Sequence, residues 1–114
     1  MKNFRSGKYI EIDLTKKEVK LKYIDEEIIK NYLGGKGLGV KLLSDYITRR
    51  VNPLSEENVL VISPGLLSGT LMPGTGRIHI CSISPLTDRY GESEAGGYFG
   101  TYLKLNGYDS LVIR

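Results

Sequence analysis

Apolar and polar residues alternate at the beginning of the chain. From Lys8 to Tyr23 the apolar side chains fall mainly on every second position, on both sides of a polar turn at residues 15–17. A period of two indicates strands that have one buried and one solvated face. The segment is therefore predicted to form a β-hairpin.

Two short helices are predicted to follow the hairpin. Asp25 is a suitable N-cap for the first helix, and a Gly-Gly pair should end it. The second helix spans residues 36–47, and its inner face carries four apolar residues, Leu38, Leu42, Leu43 and Ile47. Gly37 and Gly39 lower the helix propensity of its first turn. These glycines indicate either close packing on another backbone, which we expect, or contact with a ligand.

Three later segments have the apolar composition of strands. Residues 59–63 are apolar on both faces, as is typical of a strand in the middle of a sheet. Residues 77–83 alternate, and residues 110–114 form a strand that ends with the chain. Because this last strand would lie at a sheet edge, we expect the isolated chain to form a homo-oligomer by edge-strand pairing. A pattern that stops at such a strand is expected of a truncated domain.

The segments between these strands are rich in glycine. Residues 66–76 are predicted to be an irregular loop, because no period of two or 3.6 survives in them. A second loop, which contains residues 91–97, should lead into a short helix at residues 97–105. The inner positions expected for this helix are Tyr98, Tyr102 and Leu105.

Nine of the fourteen glycines lie between Gly65 and Tyr108, and Arg77 stands among them. Backbone without side chains can approach a phosphate closely, and arginine adds a planar charged fork. The spacing matches neither GxxxxGK[ST] nor GxGxxG. Arg77 is thus either an anion ligand or a solvated surface residue. Glu94, ahead of the predicted helix, would cap that helix, bind a divalent cation or repel an anion.

Composition narrows the function classes. The 114 residues carry a net charge of +3, with 16 basic and 13 acidic side chains that form no single stripe, which argues against nucleic-acid binding. No continuous apolar stretch follows residues 1–5, so we expect no signal peptide, no membrane segment and a cytoplasmic location. The single cysteine, Cys81, is predicted to be buried, and His79 to be a satisfied or half-exposed side chain. These residues do not make a complete active site.

Four motifs resemble those of one known family. They are YLGGKGLGVKLL, SPGLLSGTLMPGTGR, SPLT and AGGYFGTYLKLNGYDSLVI. In this order and spacing they resemble the N-terminus of the tungsten-containing aldehyde ferredoxin oxidoreductases, whose chains are several times longer. The resemblance implies an α+β fold of two β-sheets with short helices. It also implies that residues 1–114 are a single, truncated, tungstopterin-binding domain.

The resemblance further implies roles for individual residues. A bis-pterin cofactor with tungsten or molybdenum would lie across the domain, with its phosphates joined through magnesium. Arg77 aligns with an arginine that contacts these phosphates. The residues that align with a loop that makes backbone contacts to the pterin are Glu94, Ala95, Gly96 and Gly97. The carbonyl of Glu94 aligns with a magnesium ligand, although the family pattern has asparagine there; no catalytic residue is implied.

The implied function is that of the N-terminal part of an oxidoreductase. The whole enzyme would oxidise an aldehyde to a carboxylate and pass electrons through a [4Fe-4S] cluster to ferredoxin. The cluster ligands, a second pterin loop and the aldehyde pocket would lie beyond residue 114, so this fragment alone should be inactive without the remainder of the oxidoreductase chain. The alternative is a non-catalytic binding module or scaffold subunit that associates with a separate catalytic subunit. A reading frame that continues past Arg114 would favour the first interpretation.

Overall fold

One mixed sheet of six strands organises residues 6–114, the part of the chain that the structure describes. In this computed structural model the elements are, in chain order, β1 (Lys8–Asp13), β2 (Glu18–Tyr23), α1 (Glu26–Tyr32), α2 (Gly35–Tyr46), β3 (Leu60–Pro64), β4 (Ile78–Ser84), β5 (Arg89–Ala95), α3 (Phe99–Leu105) and β6 (Ser110–Ile113). The strand order is β2-β1-β6-β3-β4-β5. The α+β class, the hairpin, the first two helices and the three later strands are thereby confirmed. Residues 1–5, which carried the argument against a signal peptide, lie outside the described residues.

The last strand, β6, joins the two halves of the sheet. It pairs in parallel with β1 and antiparallel with β3, so it connects the N-terminal hairpin to the antiparallel unit of β3, β4 and β5. Leu111 and Val112 are buried. The prediction that this strand forms a sheet edge, open to pairing with another copy, is wrong because both of its ladders are filled by its own chain. For the same reason the described residues form one continuous sheet, not the two that the resemblance implied.

Helices α1 and α2 cover one face of this sheet. The buried hydrophobic residues of the resulting core are Tyr9, Ile24, Leu38, Leu42, Leu43, Val59, Val61, Cys81 and Val112. A Cβ added to Gly39 would lie 3.2 Å from His79 Cδ2 and 3.4 Å from Ser63 Oγ. A Cβ added to Gly37 would lie 2.4 Å from the carbonyl oxygen of Tyr32. Close packing, as expected, is the reason for the glycines of α2.

The opposite face of the sheet is apolar and only partly covered. The strand registers place on it Ile10, Ile12, Val19, Leu21, Leu60, Ile62, Ile78, Ile80, Leu111 and Ile113. Helix α3 packs against one end of this face, near Ile10 and Pro64. At the edge strand β2, Val19 is 70% exposed and Leu21 is 48% exposed. An apolar surface of this extent is typical of a contact region for another layer of protein.

Residues 89–95 form a strand, β5, where the sequence predicted a loop. This strand pairs with β4 along its whole length, from Ala95 opposite Ile78 to Arg89 opposite Ser84. It lies at the edge of the sheet, and its residues, RYGESEA, carry no apolar period that would mark a strand. The prediction of a loop that leads directly into a helix terminus is therefore wrong for residues 91–95.

Helix α3 begins at Phe99 and turns a glycine towards the sheet. A Cβ added to Gly100 would lie 2.6 Å from Ile78 Cγ2 and 3.1 Å from Pro64 Cβ, so a larger residue would push the helix outwards. The residues predicted to face inwards are exposed, namely Tyr98, Tyr102 and Leu105. That prediction is wrong because a glycine, and not an aromatic side chain, makes the contact. No helix within residues 6–114 is long and apolar enough to cross a membrane.

A buried carboxylate fixes α2 to the hairpin. Glu11 is 4% exposed, and its carboxylate accepts a hydrogen bond from the hydroxyl of Tyr46. The same carboxylate forms an ion pair with Lys22 Nζ at 2.6 Å. The hydroxyl of Tyr9 lies 3.0 Å from that of Tyr46. Burial raises the pKa of Glu11, but the hydrogen bonds from Lys22 and Tyr46 and the nearby positive charges outweigh it. The pKa of Glu11 is therefore lowered from its ordinary value of 4.5.

This lowered pKa predicts how stability depends on pH. The ionised Glu11 stabilises the fold above its ordinary pKa of 4.5, and this contribution is lost as the pH falls through the lower pKa of the folded state. We expect Glu11→Gln to lower the free energy of unfolding at neutral pH by about 1–3 kcal/mol. The variant should also lose part of the acid sensitivity of the wild type. Chemical denaturation at a series of pH values measures both effects.

Glu18→Gln is the matched control for this experiment. Glu18 lies on the neighbouring strand β2, and its side chain is 52% exposed. The ion pair that Glu18 forms at the surface contributes little to stability, so this variant should keep the acid sensitivity of the wild type. Equal acid sensitivity in Glu11→Gln and the wild type would contradict the role given to Glu11.

Candidate functional site

Glycine-containing segments meet at one end of the sheet. Gly34, which precedes α2, lies so close to the segment after β3 that an added Cβ would be 3.0 Å from Leu66 N. Gly76, just before β4, lies against Gly97, just after β5, where an added Cβ would be 2.8 Å from the carbonyl oxygen of Gly97. A side chain at either position would force the two backbones apart. The two glycine-rich segments that the sequence singled out are therefore in direct contact.

The outer side of this junction is lined by backbone. A Cβ added to Gly74, Gly96 or Gly97 would meet no atom within 4 Å. Gly74 and Gly97 also have positive φ angles, 76° and 127°, in the region that favours glycine. The main chain at these positions is therefore open on the side where a Cβ would lie. We call the surface formed by Gly74, Gly76, Gly96 and Gly97 the glycine rim.

Arg77 places a positive charge at the glycine rim. It follows Gly76 directly, and its side chain is 72% exposed. The carbonyl of Arg77 accepts a hydrogen bond from Gly65 N at 3.4 Å, and β4 begins at the next residue. The backbone of Arg77 is thus held in place while its guanidinium extends towards solvent. From Nη1 it donates a hydrogen bond to Glu94 Oε2 at 3.3 Å.

Glu94 lies within β5, opposite His79. The cap role considered for it is wrong, because the N-cap of α3 is Tyr98, and no side-chain hydrogen bond caps that helix. Ala95 is the last residue of β5, and the chain leaves the sheet at Gly96. The structure therefore brings Arg77 together with all four residues of the predicted binding segment, 94–97, although the first two belong to a strand.

A chain of polar contacts runs beneath this site. His79 is 3% exposed, and its Nε2 lies 3.0 Å from the hydroxyl of Tyr90. Tyr90 donates its proton to Glu92 Oε2 at 2.6 Å, and Lys36 Nζ lies 2.7 Å from Glu92 Oε1. The hydrogen bonds from Lys36 and Tyr90 lower the pKa of Glu92, while burial and the Glu92 carboxylate raise that of Tyr90. Glu92 is therefore ionised and Tyr90 protonated at neutral pH.

The sequence did not reveal this polar chain. Tyr90, Glu92 and Glu94 occupy every second position and so point to one side of β5, which is the signal that a strand prediction would have used. The prediction that His79 is satisfied or half-exposed is wrong, because the ring is buried and its Nδ1 has no hydrogen-bond partner among the described residues.

Cys81 is confirmed as a buried thiol, with 1% of its surface exposed. Burial raises its pKa to about 11, with a smaller contribution from the negative charge of Glu92. A thiol with this pKa carries almost no thiolate at neutral pH, and thiolate is the nucleophilic form. Cys81 therefore packs the core and does not perform covalent chemistry.

The hydrogen bonds of Tyr90 predict the tautomer of His79. Because the single hydroxyl proton of Tyr90 goes to Glu92, neutral His79 must donate from Nε2 to the Tyr90 oxygen. We expect nitrogen NMR of the neutral ring to show a protonated Nε2 and an unprotonated Nδ1. Tyr90→Phe removes the acceptor and should raise the share of the other tautomer. A wild-type ring protonated mainly at Nδ1 would contradict this assignment.

The contact between Gly76 and Gly97 predicts the effect of one added methyl group. In Gly76→Ala the Cβ would meet the backbone oxygen of Gly97, so we expect the two segments to separate and the free energy of unfolding to fall by about 1–3 kcal/mol. Gly96→Ala is the matched control, because its Cβ would enter open space. Thermal denaturation and amide NMR shifts at residues 74–77 and 96–98 measure the difference. Equal behaviour of the two variants would contradict the described contact.

The known proteins that match this chain agree on one family. The family model described as "Aldehyde ferredoxin oxidoreductase, N-terminal domain" matches residues 9–114. The tungsten-containing aldehyde ferredoxin oxidoreductase of Pyrococcus furiosus is 41% identical over 108 residues, which cover 95% of this chain and 18% of that relative. From the same organism, the aliphatic sulfonate oxidoreductase, WOR-like subunit, is 37% identical over 112 residues, which cover 96% of this chain and 18% of the relative.

A solved structure supports the same assignment. The active site complex BamBC of benzoyl coenzyme A reductase, in complex with 1,5-dienoyl-CoA, contains a chain that matches this one with a TM-score of 0.93 and 36% identity. The match covers 100% of this chain and 18% of the other. The chain thus spans less than a fifth of the length of these proteins. It belongs to the aldehyde ferredoxin oxidoreductase family, in which it corresponds to the N-terminal domain.

Proposed function

We propose that this chain is the cofactor-binding N-terminal part of an oxidoreductase that oxidises aldehydes to carboxylates with a bis-pterin tungsten or molybdenum cofactor and ferredoxin as electron acceptor. The observation that carries the proposal is the contact between Gly76 and Gly97, with Arg77 beside it. The homologous enzymes that match 95% of this chain are named as tungsten-containing, which supports a tungsten cofactor.

The donor set at the glycine rim fits a phosphate-bearing group with flat rings. Open glycine positions let main-chain atoms lie close to a ring or phosphate, and the guanidinium of Arg77 suits two phosphate oxygens at once. When bound, the cofactor would supply the two-electron chemistry. Arg77 would orient the phosphates and balance their charge, and the segment 94–97 would hold the pterin through its backbone. No residue of this site is assigned a role in proton transfer.

The magnesium ion and the [4Fe-4S] cluster need ligands beyond those that this site can supply. We propose that the backbone carbonyl of Glu94 would be one ligand of a magnesium ion bound with the cofactor, because magnesium prefers oxygen ligands. No group of three metal-ligating side chains occurs among residues 6–114. Cys81, the one cysteine of the sequence, is buried. The proposed [4Fe-4S] cluster therefore depends on ligands from the remainder of the oxidoreductase chain.

We also propose that the remainder of this oxidoreductase covers the apolar sheet face opposite α1 and α2. Relatives have more than five times the length that this chain matches, which is enough for a second layer. The exposed Val19 and Leu21 at one edge would be buried by such a layer. We also propose a cytoplasmic location, since the free thiol of Cys81 fits a reducing compartment.

Metal content tests the proposed role of Arg77. In the complete enzyme, we expect Arg77→Ala to lower the tungsten or molybdenum content of the purified protein about tenfold or more, because the phosphates of the cofactor lose their charge-assisted hydrogen bonds. Elemental analysis measures this content. Arg49→Ala is the control: Arg49 is 73% exposed, pairs with Glu57 and lies past the opposite end of α2. Unchanged metal content in folded Arg77→Ala would refute the proposed role.

A further inference from the structure

The arginine at the glycine rim is already paired with a carboxylate of its own chain. The nitrogen Nη1 of Arg77 lies 3.3 Å from Glu94 Oε2, and both side chains are more than half exposed. We propose that Glu94 is a built-in counter-anion of Arg77, which an incoming phosphate must displace, and that it thereby sets the anion affinity of the site. This inference rests on the proposed function, since it assumes that phosphates bind at Arg77.

Strand pairing keeps Glu94 beside Arg77. The register of β4 and β5 sets Glu94 opposite His79 and Ala95 opposite Ile78, so residue 94 stays diagonally across from residue 77 whether or not their side chains touch. Loss of the ion pair therefore does not require any strand to move. Only the two exposed side chains must rotate, which makes the pair easy to exchange for another anion.

The surroundings of Glu94 leave Arg77 as its main charged partner. Its other oxygen, Oε1, lies 4.0 Å from Nδ1 of the buried His79, beyond hydrogen-bond distance. Lys36, in the first turn of α2, is already paired with Glu92 at 2.7 Å. A phosphate that takes the guanidinium of Arg77 would also lie near the displaced carboxylate of Glu94. Both the competition for Arg77 and this repulsion lower the affinity for the phosphate.

The size of the effect follows from the exposure of the pair. Ion pairs between solvent-exposed side chains change an equilibrium by a factor of up to about five. Repulsion between a carboxylate and a nearby phosphate acts in the same direction and is weakened by salt. We therefore expect Glu94→Gln, which keeps the shape of the side chain, to bind a phosphate ligand about fivefold more tightly than the wild type at low salt.

Pyrophosphate is the probe for this experiment. The labelled 114-residue chain, its Glu94→Gln variant and its Arg77→Ala variant are titrated with pyrophosphate without magnesium, and the amide shifts at the glycine rim report the dissociation constant. Glu57→Gln is the control for net charge, because Glu57 pairs with Arg49 in a surface ion pair of similar exposure. The amide spectrum shows at the same time whether each variant is folded. Glu94→Ala serves as a second variant if Glu94→Gln does not fold.

The titrations separate the inference from the proposed function. We expect a gain of about fivefold for Glu94→Gln, none for Glu57→Gln, and loss of the gain when Arg77→Ala is combined with Glu94→Gln. If pyrophosphate shifts the rim amides in an Arg77-dependent manner but binds Glu94→Gln no more tightly than the wild type, the counter-anion role is overturned and the phosphate site stands. If pyrophosphate shifts the rim amides in none of the folded variants, the phosphate site itself is overturned and the inference falls with it.

Discussion

The pairing of β6 with both β1 and β3 is the interaction on which the rest of this structure depends. Without it the chain would consist of a hairpin and a separate antiparallel unit, and an isolated two-stranded hairpin is at best marginally stable in water. With β6 in place, Tyr9 of the hairpin and Val112 of β6 join Val61 of β3 and Cys81 of β4 in one core cluster. The glycine rim lies where β4 begins and β5 ends, so its geometry follows from the pairing of these two strands within the sheet.

The sequence predicted those elements whose hydrophobic pattern is strong. The hairpin, α2 and the strand at 77–83 each have a regular apolar period, the strand at 59–63 is apolar on both faces, and all of them occur in the structure. Strand β5 has none, because an edge strand that faces solvent on one side can be built from charged and small residues. The position of β6 was also hidden, since a local pattern marks a strand but not its neighbours. The number of sheets and the available edges could therefore not be predicted from the chain alone.

The site, too, was predicted only as far as local sequence patterns reach. Dense glycines and a single arginine suggested contact with a bulky anionic ligand, and the structure brings these residues into one place. The partner of Arg77 was not predictable, because Glu94 belongs to the strand that the sequence did not reveal. The buried ring of His79 and its link through Tyr90 to Glu92 depend on the same strand. The contacts of the site that the sequence did not predict therefore all involve residues of β5, the strand that it also did not predict.

The order in which the strands are synthesised affects how the sheet can fold during translation. Main-chain hydrogen bonds join Leu14 to Arg114 and Arg114 to Ile12, so β1 pairs with a segment about 100 residues further along the chain. Contacts between residues so distant in sequence form slowly. During translation the nascent hairpin has to persist with an unfilled inner edge until residues 110–113 emerge. Such intermediates are prone to aggregation, and this chain should therefore depend on chaperones more than a helical protein of the same size.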